Sequence, residues 1–123
     1  MPTGGCFCGA IRYHLEPGDH LVANCHCTMC RRTSGAPFVT WVIAPRTAFH
    51  YEQGTPQTLN SSPGAVREFC GSCGTPLTFK TTRRAENIDV TTCSFDDPDS
   101  LPPSIAVHEE SKLHWLHATE PAT

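Results

Sequence analysis

Hydrophobic and polar positions along this chain alternate in short bursts. AIRYHL (Ala10 to Leu15) switches between apolar and polar residues and predicts a strand. APFVTWVIA (Ala36 to Ala44) is rich in β-branched and aromatic residues, and Pro45 closes it. VREF (Val66 to Phe69), PLTF (Pro76 to Phe79) and NIDVTT (Asn87 to Thr92) predict strands on the same grounds. FDDPDSLPP (Phe95 to Pro103) reads as a turn-rich link. IAVHEESKLHWLH (Ile105 to His117) predicts two short strands around a polar turn. Helix is expected only for a turn or two near Thr28 to Thr33, with Gly35 just past its end. Residues 118–123 are expected to form a loose tail.

Composition supports the same picture. Eleven prolines and nine glycines in 123 residues interrupt helices. The expectation is one mainly β domain over 1–123, with its core at about 4–117 and very little helix. A small all-β domain gains from extra cross-links, which metal sites can supply.

Charge narrows the partners. Nine Lys and Arg against 12 Asp and Glu leave a net charge of −3, which argues against nucleic acid. Arg31-Arg32 and Arg83-Arg84 are local exceptions. Solvated pairs are their plain reading; Arg31-Arg32 could also anchor an anionic ligand beside the cysteines that precede them. No apolar run approaches the ~20 residues that span a bilayer. The N-terminal MPTGGCFCGA lacks the order of a secretion signal. A cytoplasmic protein without a membrane partner is expected, and thiols stay reduced there. Its eight cysteines, Cys6, Cys8, Cys25, Cys27, Cys30, Cys70, Cys73 and Cys93, then point to metal before disulfides.

Two patterns divide those cysteines. Cys6-Phe7-Cys8 is a C-x-C pair, and in an extended segment residues i and i+2 share a face. Cys70-Gly71-Ser72-Cys73 is a C-x-x-C pair followed by Gly74, which favours a tight turn. Together they make a four-thiolate site that suits zinc and leaves no position for substrate. Holding the fold is its plain role, and a redox C-x-x-C lacks the surrounding βαβ pattern.

Cys25-His26-Cys27-Thr28-Met29-Cys30 is different, because three thiolates converge without a fourth cysteine nearby. Three protein ligands plus an open position is the general plan of catalytic zinc. Cys93 could close that site as a fourth ligand, or be a small buried hydrophobe. His26 alternates with its neighbours, so it should point away from their metal toward its surroundings or the substrate. The other histidines show no ligand spacing. Ser34 and Gly35 shape the turn that follows, with Ser34 a candidate hydroxyl donor. Phe38 and Trp41 are candidate pocket walls or core residues.

The motifs GGCFCGAIRY, NCHCTMCRRTSGAPF, FCGSCGTPLTF and the late SFDDPDSL and KLHW occur in that order. This combination resembles the glutathione-dependent formaldehyde-activating enzyme family, which includes centromere protein V. The likeness runs from about Gly4 to Trp115. It implies a β-tent-like fold of twisted antiparallel sheets cross-linked by two zinc ions. Cys6, Cys8, Cys70 and Cys73 would hold a structural zinc, and Cys25, Cys27 and Cys30 a substrate-facing one. The implied activity is that of a carbon–sulfur lyase, making or breaking S-(hydroxymethyl)glutathione. Arg31, Arg32, His26 and Ser34 would contact the thiol or aldehyde substrate. A cysteine at position 93 departs from the family pattern. The alternatives are a non-catalytic zinc module that binds a macromolecule and a redox-active thiol protein.

Overall fold

The computed structural model describes residues 1–116. The expected tail, 118–123, and the end of the last predicted strand at His117 lie outside them. Two sheets make up a mainly β architecture. The smaller is antiparallel, in the order β1 (Thr3–Gly5), β2 (Arg12–Leu15) and β5 (Phe49–Gln53). The larger has seven strands. Its order is β10 (Ile105–Val107), β3 (Leu21–Cys25), β4 (Val39–Pro45), β9 (Asn87–Thr91), β8 (Pro76–Thr81), β7 (Ala65–Phe69) and β6 (Gln57–Ser62). All its pairings are antiparallel except β10 with β3.

The five strands predicted before Phe95 appear as β2, β4, β7, β8 and β9, with ends shifted by up to three residues. Four further strands carry weaker signals. β1 is glycine-rich, β3 and β5 are short, and β6 (QTLNSS) is a largely exposed polar edge strand. The link from Phe95 to Pro103 is turn-rich as expected, with a 3₁₀ turn at Pro98–Ser100, whereas the segment from Ile105 departs from expectation. Among the described residues only β10 is a strand there; Glu109–Ser111 forms a 3₁₀ turn. Its consecutive acidic residues are exposed and offer no alternating apolar face to a sheet.

Period-two alternation assigns each large-sheet strand two jobs. Val42, Ala44, Ile88, Val90 and Leu77 pack against Tyr13, Leu15 and Phe49 of the small sheet, forming the main core. Tyr13 and Phe49 rings lie 5.0 Å apart, and the Tyr13 hydroxyl is 2.6 Å from Ser94 Oγ. Burial of that phenol pushes the Tyr13 pKa upward. Glu68 is placed on the same side, accepting from Thr78 Oγ1 at 2.5 Å and Tyr51 at 3.1 Å. The alternate residues Cys25, Trp41, Asp89, Phe79 and Arg67 of β3, β4, β9, β8 and β7 share the opposite face, where Asp89, Phe79 and Arg67 are in register. Main core and second face are therefore two sides of one sheet.

The predicted helix is α1 (Thr28–Ser34). Cys27 caps its start, with Sγ accepting from the Cys30 N–H at 3.2 Å. Gly35 ends it at φ 69°, the left-handed conformation glycine adopts without strain, and its N–H reaches Arg31 O at 2.7 Å.

Leu77 is fully buried between the sheets. Leu77→Ala should lower stability by about 2–5 kcal/mol, read as a shifted denaturant midpoint with an unchanged slope. A shift below ~1 kcal/mol would show that this core does not depend on sheet-to-sheet packing at that position.

Candidate metal centres

The first cysteine group is assembled by two turns. Cys6 ends the link from β1, and its carbonyl accepts from Gly9 N–H at 3.1 Å. Cys6-Phe7-Cys8 is thus a turn rather than the extended pair expected, and Phe7 is left outside at 94 % exposure. Cys70 to Gly74 is a second turn, closed by Gly74 N–H to Cys70 O at 2.8 Å. Gly74 holds φ 84° there, a conformation a side chain would strain. The turns face each other, with sulfurs 3.6 Å apart for Cys6 and Cys8 and 3.7 Å for Cys8 and Cys70. Those spacings match the ~3.8 Å edge of a tetrahedron with metal–sulfur bonds of about 2.3 Å. Backbone N–H groups of Ile11 and Cys73 donate to the Cys6 and Cys70 sulfurs at 3.2 and 3.4 Å. The Thr75 hydroxyl and backbone hold the metal-free Cys73 thiol down at about 5. At Cys8 the Ala10 N–H favours thiolate, but the neighbouring Cys6 sulfur and burial push the thiol up to about 11.

The second group comes from one strand end and one helix start. Cys25 closes β3, Cys27 is the helix cap, and Cys30 lies in the first turn of α1. Their sulfurs all lie within 4.8 Å of one another, with Cys25 and Cys30 3.4 Å apart. Both groups could hold a metal ion. Among the described residues, no fourth His, Cys, Asp or Glu atom joins this trio. Cys93 stands apart. It is exposed, on a 3₁₀ turn after β9, and lines a different cavity with Phe38, Thr75 and Ser94. It neither closes the trio nor behaves as the buried hydrophobe its strand-like setting suggested.

Arg67 is the cation beside the trio. It is 7 % exposed, and its Nη2 donates toward Cys30 Sγ at 3.8 Å. Its guanidinium sits 4.4 Å over the Phe79 ring, from the residue paired with it across β7 and β8. Cys30 is the thiolate of the metal-free trio. Hydrogen bonding from Cys25 outweighs burial, and Cys27 and Arg67 add to it, bringing the Cys30 pKa down to about 5. Sharing with Cys30 drives Cys25 strongly upward instead.

A groove of about 370 Å³ opens over the trio. Cys25, Cys27 and Cys30 line it together with Trp41, Ile43, Phe79 and Arg67. A second cavity of about 350 Å³ shares Trp41 and Arg67 as its wall and includes Thr33 and Ser34. Ser34 Oγ donates to Cys30 O at 2.7 Å and accepts from Ala36 N–H at 3.2 Å, so it fastens the end of α1. His26 is buried beside Phe38, their rings 5.2 Å apart, and does not line the groove. Arg31 and Arg32 lie in the last turn of α1, and neither lines the groove. Arg67 escaped the sequence reading because an arginine in a short strand ordinarily faces water. Its one signal was its place three residues before Cys70.

The sequence model for the glutathione-dependent formaldehyde-activating enzyme matches residues 1–111. The chain belongs to that family. A protein of Halomonas elongata provisionally named a glutathione-dependent formaldehyde-activating enzyme is 27 % identical, covering 92 % of this chain and 78 % of that protein. An uncharacterized lyase of Schizosaccharomyces pombe is 29 % identical, covering 78 % of this chain and 80 % of that one. A Rhodobacter sphaeroides crystal structure shares the fold, with a TM-score of 0.69 at 22 % identity over 85 % of this chain and 99 % of that one. In this member of the formaldehyde-activating family, no helix among the described residues is long and apolar enough to cross a membrane.

Metal loading tests both groups. Cys70→Ser should remove one metal per chain and lower thermal stability, whereas Cys25→Ser should remove the other with a smaller effect on the fold. Mass spectrometry under native conditions and a melting curve read both. The proton on Cys25 must leave when metal binds. Apparent affinity at the trio should therefore rise at least tenfold per pH unit near neutrality, by chelator competition. A flat profile would contradict three-thiolate ligation.

Proposed function

We propose that this protein is a zinc-dependent carbon–sulfur lyase of the thiol–aldehyde type. Its first candidate reaction is formation and cleavage of S-(hydroxymethyl)glutathione in the cytoplasm. The observation that carries this reading is the cysteine trio, convergent on an open groove and separate from a complete set of four. Two zinc ions per chain fit the two groups. The quartet ties the fold, and the trio faces substrate.

A zinc ion held by Cys25, Cys27 and Cys30 would supply Lewis acidity, stabilising a substrate thiol as thiolate near neutral pH. The protein supplies the rest. Cys27 and Cys30 are fixed by the helix cap, so their sulfurs do not reorganise as substrate arrives. Trp41 and Phe79 form apolar walls that limit water around the reacting atoms. Arg67 places a positive charge against the electron-rich sulfurs. In the forward direction a sulfur–carbon bond forms and the carbonyl π bond opens. The thiol's proton ends on the new hydroxyl oxygen, delivered by solvent at the groove mouth. The buried His26 is outside that route. Arg31 and Arg32, outside the groove, would attract an anionic thiol toward it.

A macromolecule-binding zinc module predicts that Cys93 closes the second site. The exposure of Cys93 in another cavity favours the enzyme reading. Exchange spectroscopy on glutathione and formaldehyde tests it. Zinc-loaded protein should speed adduct exchange well above the spontaneous rate, and Cys30→Ser should return it to that rate. An unchanged rate with fully loaded wild type would defeat the formaldehyde assignment.

A further inference from the structure

Arg67 is over-buried for an arginine without a carboxylate. Its side chain is more than nine-tenths covered, its Nε has no hydrogen-bond partner, and no acidic residue pairs with it among the described residues. The two nearest acids are engaged elsewhere. Glu68 points to the other face, toward Tyr51, Thr78 and Lys80. Asp89 is taken by Arg84 through two hydrogen bonds of 3.0 and 2.7 Å. Burying an unpaired cation costs several kcal/mol unless something compensates it. Cys30 compensates in part, at the long distance of 3.8 Å.

The placement is rigid and central. Stacking on Phe79 fixes the plane of the guanidinium, and Arg67 is shared by the groove over the trio and the cavity beside it. A planar guanidinium fixed in a cavity wall can receive a carboxylate through two parallel hydrogen bonds. Its closeness to Cys30 sets the spacing. An anion on Arg67 would sit only a few bonds from a sulfur at the trio. We infer that Arg67 is a carboxylate anchor, so that the groove selects thiols carrying a carboxylate close to the sulfur over neutral thiols of the same shape. This rests on the reading that the trio receives a substrate thiol, and it gives that thiol a chemical class. The rest of the lining is apolar at Ala23, Met29, Ile43 and Val107 and polar at Arg84, Asp89 and His108, and His108 faces Glu110 at 3.3 Å. Arg84 is neutralised by Asp89.

The test uses the full chain loaded with cobalt(II), whose absorption changes when a thiol joins three cysteine ligands. The probes are 3-mercaptopropionate and its methyl ester. Wild type should bind the acid about 10-fold or more tightly than the ester. Arg67→Met should erase that preference, weakening acid binding about 10-fold more than ester binding. Arg67→Lys, a point charge without the fork, should keep only part of it. Equal weakening of both probes, or a preference that survives in Arg67→Met, would overturn the anchor and leave Arg67 a partner of the cysteines alone. The Arg67 Nε–H resonance of wild type gives an independent reading. Propionate, which has no thiol, should shift it, and this measurement decides if Arg67→Met does not load metal. A resonance that stays put sinks the anchor. If propionate moves it while neither thiol alters the cobalt spectrum, the anchor stands and the thiol chemistry falls. If both thiols bind equally and the resonance is unmoved, the reverse holds.

Discussion

The sulfurs of Cys8 and Cys70, 3.7 Å apart yet separated by 62 residues, make the contact on which the architecture depends. They join the turn between β1 and β2 to the turn between β7 and β8. One turn belongs to the small sheet and the other to the large one. Sheet-to-sheet packing by Tyr13, Leu15, Phe49, Val42 and Leu77 supplies apolar burial between them. Each buried side chain contributes roughly 1.5–3 kcal/mol, and ordering the chain opposes that gain. A cross-link in this place fixes how the sheets meet. Four thiols so close would repel as anions, so the arrangement makes physical sense with a cation between them.

The second group uses the same residue type under a different constraint. Its ligands come from a strand end, a helix cap and a helix turn, all local in sequence. Its environment is not local. Trp41 comes from β4, Phe79 from β8 and Arg67 from β7, brought side by side by strand register. One positive charge beside three sulfurs lowers the cost of crowding negative charge on this face. The same charge can then recognise a ligand. Structural counter-ion and substrate contact are compatible roles for one guanidinium, because its fork has more donors than Cys30 can occupy.

The two faces of the large sheet divide the labour. Val42 and Val90 look inward to the core, while Trp41 and Asp89 look outward to the groove. Substitutions that alter the groove are therefore one residue from positions that hold the molecule together. The groove inherits rigidity from the core, which suits a site that must hold sulfurs in fixed geometry.

Local chemistry was legible along the chain. Strands such as β4 and β9 announce themselves by β-branched residues. α1 announces itself by the glycine after it, and the quartet and trio by cysteine spacing, because ligands within a few residues need only a turn to converge. Residue order alone left Cys93 undecided, since its exposure depends on the path of the chain after β9. It missed β6 and the 3₁₀ turn at Glu109–Ser111, where polar residues carry no periodic signal. It also missed Arg67. Whether an arginine in a strand faces water or a thiolate depends on which strands flank it and what covers that face. Metal-ligand spacing is a property of neighbours in sequence, and the sequence determined it. Strand order and register join distant residues, and only the tertiary structure decided that Arg67, Phe79 and Cys30 would meet.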